Sequence, residues 1–165
     1  MALCRLIYRS VAKADIVSNA MLRDLEQQAS AANSENGITG LLVLAGNVFV
    51  QALEGDSKAV TALFNRIAND PRHRDVELVS HGPIGNRRFE EWGMRLVDLY
   101  DLPGDKRAFM VAKYGQRNDQ LQPPEDVQML LSWLLDASFL CLSTPWTDAP
   151  KRKSADDPAA ERSAG

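Results

Sequence analysis

The order in which two hydrophobic periodicities alternate constrains the fold of this chain most. Apolar runs of strand length stand at Leu3–Tyr8, Ile38–Ala45, Val48–Leu53 and Val76–His81, and helix-period stripes fill the gaps after the first and the third. In the first gap Leu22, Leu25, Ala29 and Ala32 recur at spacings of three and four, ahead of a stop at Ser34-Glu35-Asn36-Gly37. Asp15 or Ser18 is placed to cap that helix. In the second gap a helix opens at Ser57 and carries Val60, Leu63, Phe64 and Ile67 on one face. It closes at Asn69-Asp70-Pro71, because the residue before a proline is driven out of the helical region. Gly46-Asn47 joins the second and third runs as a hairpin. This β-α-β-β-α-β succession is the split-βαβ, ferredoxin-like arrangement, with both helices on one face of the sheet. Trp92–Leu99 adds a fifth strand, so the expected class is α+β with a mixed five-stranded sheet.

After Pro103 the pattern turns helical. Lys106–Tyr114 is a short candidate, and Pro123-Pro124-Glu125 is expected to start a stronger helix with Val127, Leu130, Leu131 and Leu134 in register. Met129, Trp133 and Leu135 widen that stripe, so these helices either cover the second face of the sheet or meet another chain. From Thr147 onward no apolar residue is larger than alanine, and disorder is expected there. The organisation is thus read as a domain over 1–100, a helical extension over 101–146 and a tail over 147–165.

Charge and composition exclude several function classes. A net charge of −3 opposes a phosphate-backbone partner, so no nucleic acid is expected. No apolar stretch reaches the roughly 18 residues of a membrane span, and no secretory leader is readable. Cys4 and Cys141, far apart in apolar contexts, read as buried thiols of a cytoplasmic protein, and His73 and His81 supply no metal cluster.

Strand alternation exposes the chemistry. Tyr8 shares a face with Leu6 and Cys4, and Gln51 shares one with Phe49 and Leu53. If that face lies under the helices, a phenol and an amide are buried among hydrocarbon, where each unsatisfied polar group costs roughly 1–3 kcal/mol. Mutual pairing of Tyr8 with Gln51, plus a third partner, satisfies both. Trp92 and Met94 share a face of another strand. Taken singly, each of these residues fits an ordinary core or a solvated turn.

Together they carry a resemblance. Leu6-Ile7-Tyr8-Arg9-Ser10, Asn33 with Asn36-Gly37-Ile38-Thr39-Gly40-Leu41-Leu42, Phe49-Val50-Gln51-Ala52-Leu53-Glu54-Gly55, Asp70-Pro71-Arg72-His73 and Arg88-Phe89-Glu90-Glu91-Trp92-Gly93-Met94 follow one another as in BLUF domains. The chain resembles that family of flavin-binding blue-light sensors over roughly residues 3 to 98. Ala52 stands where a larger aliphatic is common, and the first helix is a residue longer than in some members.

The resemblance implies a noncovalent oxidised flavin, FAD with FMN as the alternative, held between the two helices. Leu25 and Ile67 would wall the ring, Asn33, Arg66 and Asp70 would bond its polar edge, and Arg72 would reach the ribityl or phosphate end. As a plain surface feature, Arg66 and Asp70 would instead form an i,i+4 ion pair. The implied process is photochemical, not a turnover of substrate. Tyr8 donates an electron and a proton, and Gln51 relays the proton and ends rotated or tautomerised. A stronger hydrogen bond to the flavin C4 carbonyl and a red-shifted, reverting spectrum follow. Trp92 and Met94 belong to the strand that senses the change. No output enzyme is read, so a separate effector protein or a homo-oligomer is expected to carry the signal. The competing reading is a ferredoxin-like small-molecule or RNA-binding module without photochemistry.

Overall fold

The structure, a computed structural model, describes residues 2–13, 19–89, 93–117 and 120–142. Five strands form one sheet: β1 (Leu3–Ala12), β2 (Thr39–Ala45), β3 (Val48–Asp56), β4 (His73–Pro83) and β5 (Arg95–Asp98). Their order is β4-β1-β3-β2-β5. Every neighbouring pair is antiparallel except β2 with β5, which runs parallel. Helix α1 (Asn19–Glu35) follows β1 and α2 (Ser57–Ala68) follows β3. The expected α+β class and mixed sheet are therefore present, and the caps foreseen at Asp15 and Ser18 lie outside the described residues.

Local chemistry sets the element ends. Gly37 adopts φ +66°, the left-handed turn that ends α1, and Gly46 does the same in the β2–β3 hairpin with φ +64°. At the start of α2 the cap is Asp56, whose carboxylate accepts the Lys58 N–H at 3.2 Å. The fifth strand is shorter than the expected Trp92–Leu99. It ladders only where it meets Leu41–Leu44 of β2, and at its end the Asp98 side chain accepts the Tyr100 N–H at 3.1 Å and turns the chain into a 3-10 segment.

The C-terminal helices are α3 (Gly104–Tyr114) and α4 (Val127–Leu142), with a small hairpin of β6 (Gln116–Arg117) and β7 (Gln120–Leu121) between them that no turn signal announced. Helix α4 starts at Val127, later than the prolines suggested. Asp126 Oδ1 accepts the Met129 N–H at 2.9 Å and fixes the start, while the Pro124 carbonyl accepts a hydrogen bond from Arg9 of β1 at 2.9 Å. Pro123 and Pro124 thus form an anchored lead-in.

Two hydrophobic layers result. Under α1 and α2 lie Leu6, Tyr8, Leu42, Phe49, Leu53, Met94 and Leu96 with Leu22 and Val60. On the opposite face Ile7, Val43, Val50 and Val97 meet Leu130, Trp133, Leu134, Ala137 and Cys141 of α4. Most of the wide apolar stripe therefore covers the second sheet face. Val127, Met129 and Phe139 stay exposed, Phe139 by 75%. Cys4 and Cys141 are both buried free thiols. Among the described residues no helix is long and apolar enough to cross a membrane.

Candidate functional site

Strand register puts Tyr8 of β1 directly opposite Gln51 of β3, and Gln51 opposite Leu42 of β2. The three stand in one row on the face under α1 and α2. Tyr8 is 1% exposed and Gln51 4%, so their polar ends must be satisfied within the protein. The Tyr8 hydroxyl donates to Gln51 Oε1. Gln51 Nε2 donates to Met94 Sδ at 3.3 Å, so Met94 supplies the third partner that a buried pair requires. A thioether is a weak acceptor, and this contact uses only one of the two amide donors. Burial pushes the Tyr8 phenol well above its usual range, the Asp70 carboxylate adding to the effect and Arg72 opposing it. The side chain is therefore a neutral O–H, with its proton directed at the amide oxygen of Gln51.

Above this row a cleft of about 240 Å³ opens between the two helices. Leu25, Ala29 and Ala32 of α1 and Leu63 and Ile67 of α2 are its apolar walls, and Tyr8, Leu42 and Gln51 are its floor. Gln28 and Asn33 bring amides to it, Arg66 a guanidinium, Asp70 and Arg72 a charged end, and His73 an imidazole. Ala29 and Ala32 add only short side chains to the α1 wall. Apolar walls with donors and acceptors at the edges suit a planar heterocycle with one polar edge, so these residues fit a flavin ring. Among the described residues no cluster of His, Cys, Asp or Glu could hold a metal ion.

The cleft brings together eight residues singled out in the sequence: Tyr8, Leu25, Asn33, Gln51, Arg66, Ile67, Asp70 and Arg72. Asn33 has a second engagement. It is 3% exposed, and its Nδ2 donates to the Gly93 carbonyl at 2.9 Å. Gly93 lies so close to α1 that a Cβ would run into the Ser30 carbonyl and the Ser34 hydroxyl. Asn33 thus ties the cleft to the chain entering Met94. Asp70 pairs with Arg72 at 2.6 Å, so the i,i+4 partnership with Arg66 is not formed. The Arg72 hydrogen bond holds the Asp70 carboxyl below its usual range, against the opposing effect of burial. Trp92, the other relay candidate, lies outside the described residues.

Sequence reasoning missed Gln28, Ala29, Ala32, Leu42, Leu63 and His73 as lining residues, although Ala29, Ala32 and Leu63 were on the expected helix stripes. Far from a solvated turn, His73 places its ring edge-on to Phe49 at 5.4 Å and to Tyr8 at 6.4 Å between centroids, with Nδ1 3.0 Å from Ser10 Oγ. Burial pulls its pKa down, Asp70 opposing and Arg72 reinforcing. The folded state therefore favours neutral His73, and the stability this contributes is present above the unfolded value of about 6.5 and lost as pH falls below it. The melting temperature of the unliganded protein is expected to decline between about pH 7.5 and 5.5, and to decline less in His73→Asn. Equal slopes in the two proteins would remove His73 as the cause.

The BLUF family model, described as sensors of blue light using FAD, matches residues 3–95. Photoactivated adenylate cyclase subunit alpha of Euglena gracilis is 33% identical over 92 residues, 55% of this chain and 9% of the cyclase. The chain thus spans under a tenth of that curated relative. Among solved structures, BlsA in its photo-activated state superposes with a TM-score of 0.68 at 28% identity, covering 89% of this chain and 99% of BlsA. BlrB, a BLUF protein in its dark state, gives 0.61 at 34% identity over 81% of this chain and 96% of BlrB. Residues matched by the family model include Tyr8, Gln51 and every residue that lines the cleft. The chain belongs to the BLUF family of blue-light sensors that use FAD.

Proposed function

We propose that FAD lies in the α1–α2 cleft and that Tyr8, Gln51 and Met94 form the switch beneath it. The observation that carries this reading is the buried chain from the Tyr8 hydroxyl through the Gln51 amide to Met94 beneath a cleft with apolar walls and polar edges. Leu25 and Ile67 hold the ring, Asn33, Arg66 and Asp70 face its polar edge, and Arg72 faces the ribityl or phosphate end. Bound there, the flavin supplies blue-light absorption and, once excited, an electron acceptor. Tyr8 gives up an electron while its hydroxyl proton passes along the existing hydrogen bond to Gln51 Oε1. The amide must then reorganise, because an oxygen that has taken a proton no longer accepts from Tyr8. Return of the electron and proton leaves Tyr8 unoxidised and Gln51 rotated or tautomerised, with its contact to Met94 Sδ exchanged for a stronger one. Nothing is consumed, so the product is a changed conformational population.

The same reading assigns the output to a protein partner or to a second copy of the chain, through the outer face of α4 where Phe139 and Met129 are exposed. Size-exclusion chromatography with light scattering, in darkness and under blue light, reads the oligomer directly.

The test is an absorption spectrum of purified protein before and after blue light. Flavin bands that move slightly to the red and return in darkness are expected, and chromatography of the released chromophore should give FAD. Bands indifferent to light would remove the switch, and a protein colourless after reconstitution with FAD and FMN would remove the cofactor.

A further inference from the structure

The three residues Met94, Arg95 and Leu96 make three contacts on three different elements. Met94 Sδ accepts from Gln51 on the cleft floor. Next in sequence, Arg95 Nε donates to Cys141 Sγ of α4 at 3.5 Å. One residue further, the Leu96 N–H donates to Glu26 Oε2 of α1 at 2.7 Å. Strand alternation explains the division, since Met94 and Leu96 belong to the layer under α1 and α2 while Arg95 turns toward α4 on the other face. The strand they enter is a short sheet edge, laddered to β2 alone over four residues. Its outer N–H is satisfied by a side chain, not by a further strand. Such an edge is the part of a sheet that moves at least cost.

The strengths of these contacts are unequal. The Glu26 carboxylate is a charge-assisted acceptor, whereas a thiol is a weak one. Glu26 also lies within electrostatic reach of the Arg95 guanidinium. Arg95 therefore sits between a soft partner on α4 and a carboxylate on α1, one residue away from the side chain that Gln51 holds.

We infer that Arg95 is the positioning residue that passes the state of Gln51 to the C-terminal end of α4. This rests on the switch proposed above. When Gln51 releases Met94, the strand edge relaxes, the guanidinium leaves Cys141 for Glu26, and the end of α4 loosens.

Cys141 is 6% exposed and reports this motion through its own alkylation rate, with buried Cys4 of β1 as internal control. In FAD-loaded full chain, iodoacetamide labelling followed by mass spectrometry is expected to be roughly twofold to tenfold faster at Cys141 under blue light than in darkness, the range one net hydrogen bond represents. Cys4 should not change. In Arg95→Gln the dark rate at Cys141 should rise to the lit rate, the light–dark difference should vanish, and the red shift should persist. A merely structural arginine would raise labelling in both conditions and keep the difference. Equal dark and lit rates at Cys141 in a wild-type protein with a normal red shift overturn the proposal and leave the switch intact. Absence of the red shift itself overturns both.

Discussion

Gln51→Leu keeps the protein yellow but leaves its flavin bands unmoved by blue light. Leucine has nearly the volume of glutamine, so the cleft floor and its apolar walls survive and flavin content stays near stoichiometric. What disappears is the acceptor of the Tyr8 proton and the donor to Met94. Tyr8→Phe removes the other end of the same bond and takes away the oxidisable phenol, so its light response is lost as well. Each single variant strands a buried polar group, and each is expected to be less stable by about 1–3 kcal/mol. The double variant strands neither, so its destabilisation should fall short of the sum of the two singles by on the order of 1 kcal/mol or more. Light–dark difference spectra read the first effect and chemical denaturation the second. A normal red shift in Gln51→Leu would exclude Gln51 from the switch, and strict additivity would mean that the bond contributes no coupling.

Much of this site was legible because strand periodicity is exact. Counting by two from Leu6 and Phe49 puts Tyr8 and Gln51 on the core face, and a glutamine among core residues demands a partner. Alternation assigns a face but not a neighbour, however. That Tyr8 stands opposite Gln51 depends on the β1–β3 register, which the intervening hairpin and helix determine. The choice of Met94 as the residue beside Gln51 depends on Gly93 packing against α1, a contact between elements about sixty residues apart in sequence. His73 and Gln28 were hidden for another reason. A glutamine within a helix and a histidine just after a turn both read as solvated, and only the cleft between two helices gives them a function. Asp70 pairs with Arg72 and not with Arg66, the plain alternative that i,i+4 spacing offered, because α2 ends at Ala68 and Asp70 is no longer on that helix face.

Helix α4 presents the opposite problem: its apolar stripe was plain, but whether it meets the sheet or another chain was not. Trp133→Ala separates the two cases by its size. Trp133 is 1% exposed and is the largest of the fully buried side chains, set against the second face of the sheet with Leu130, Leu134 and Ala137. Removing it opens a cavity that backbone elements already laddered to one another cannot collapse to fill, and a loss of about 3–5 kcal/mol is expected. For a chain of this size that is a fall in melting temperature of roughly 6–20 °C. Phe139→Ala, on the side of the helix opposite that buried stripe and 75% exposed, should stay within about 0.5 kcal/mol of wild type. Circular dichroism melts of the two variants decide the point. If Trp133→Ala melts within 2–3 °C of wild type, as ~1 kcal/mol would give, α4 is not part of the core and the sheet face beneath it belongs to some other partner. If the large loss is found while the red shift of the surviving folded protein is normal, the two faces of the sheet divide the labour. One face holds the cofactor and its hydrogen-bond switch, and the other holds a helix whose attachment the switch can weaken without unfolding the domain.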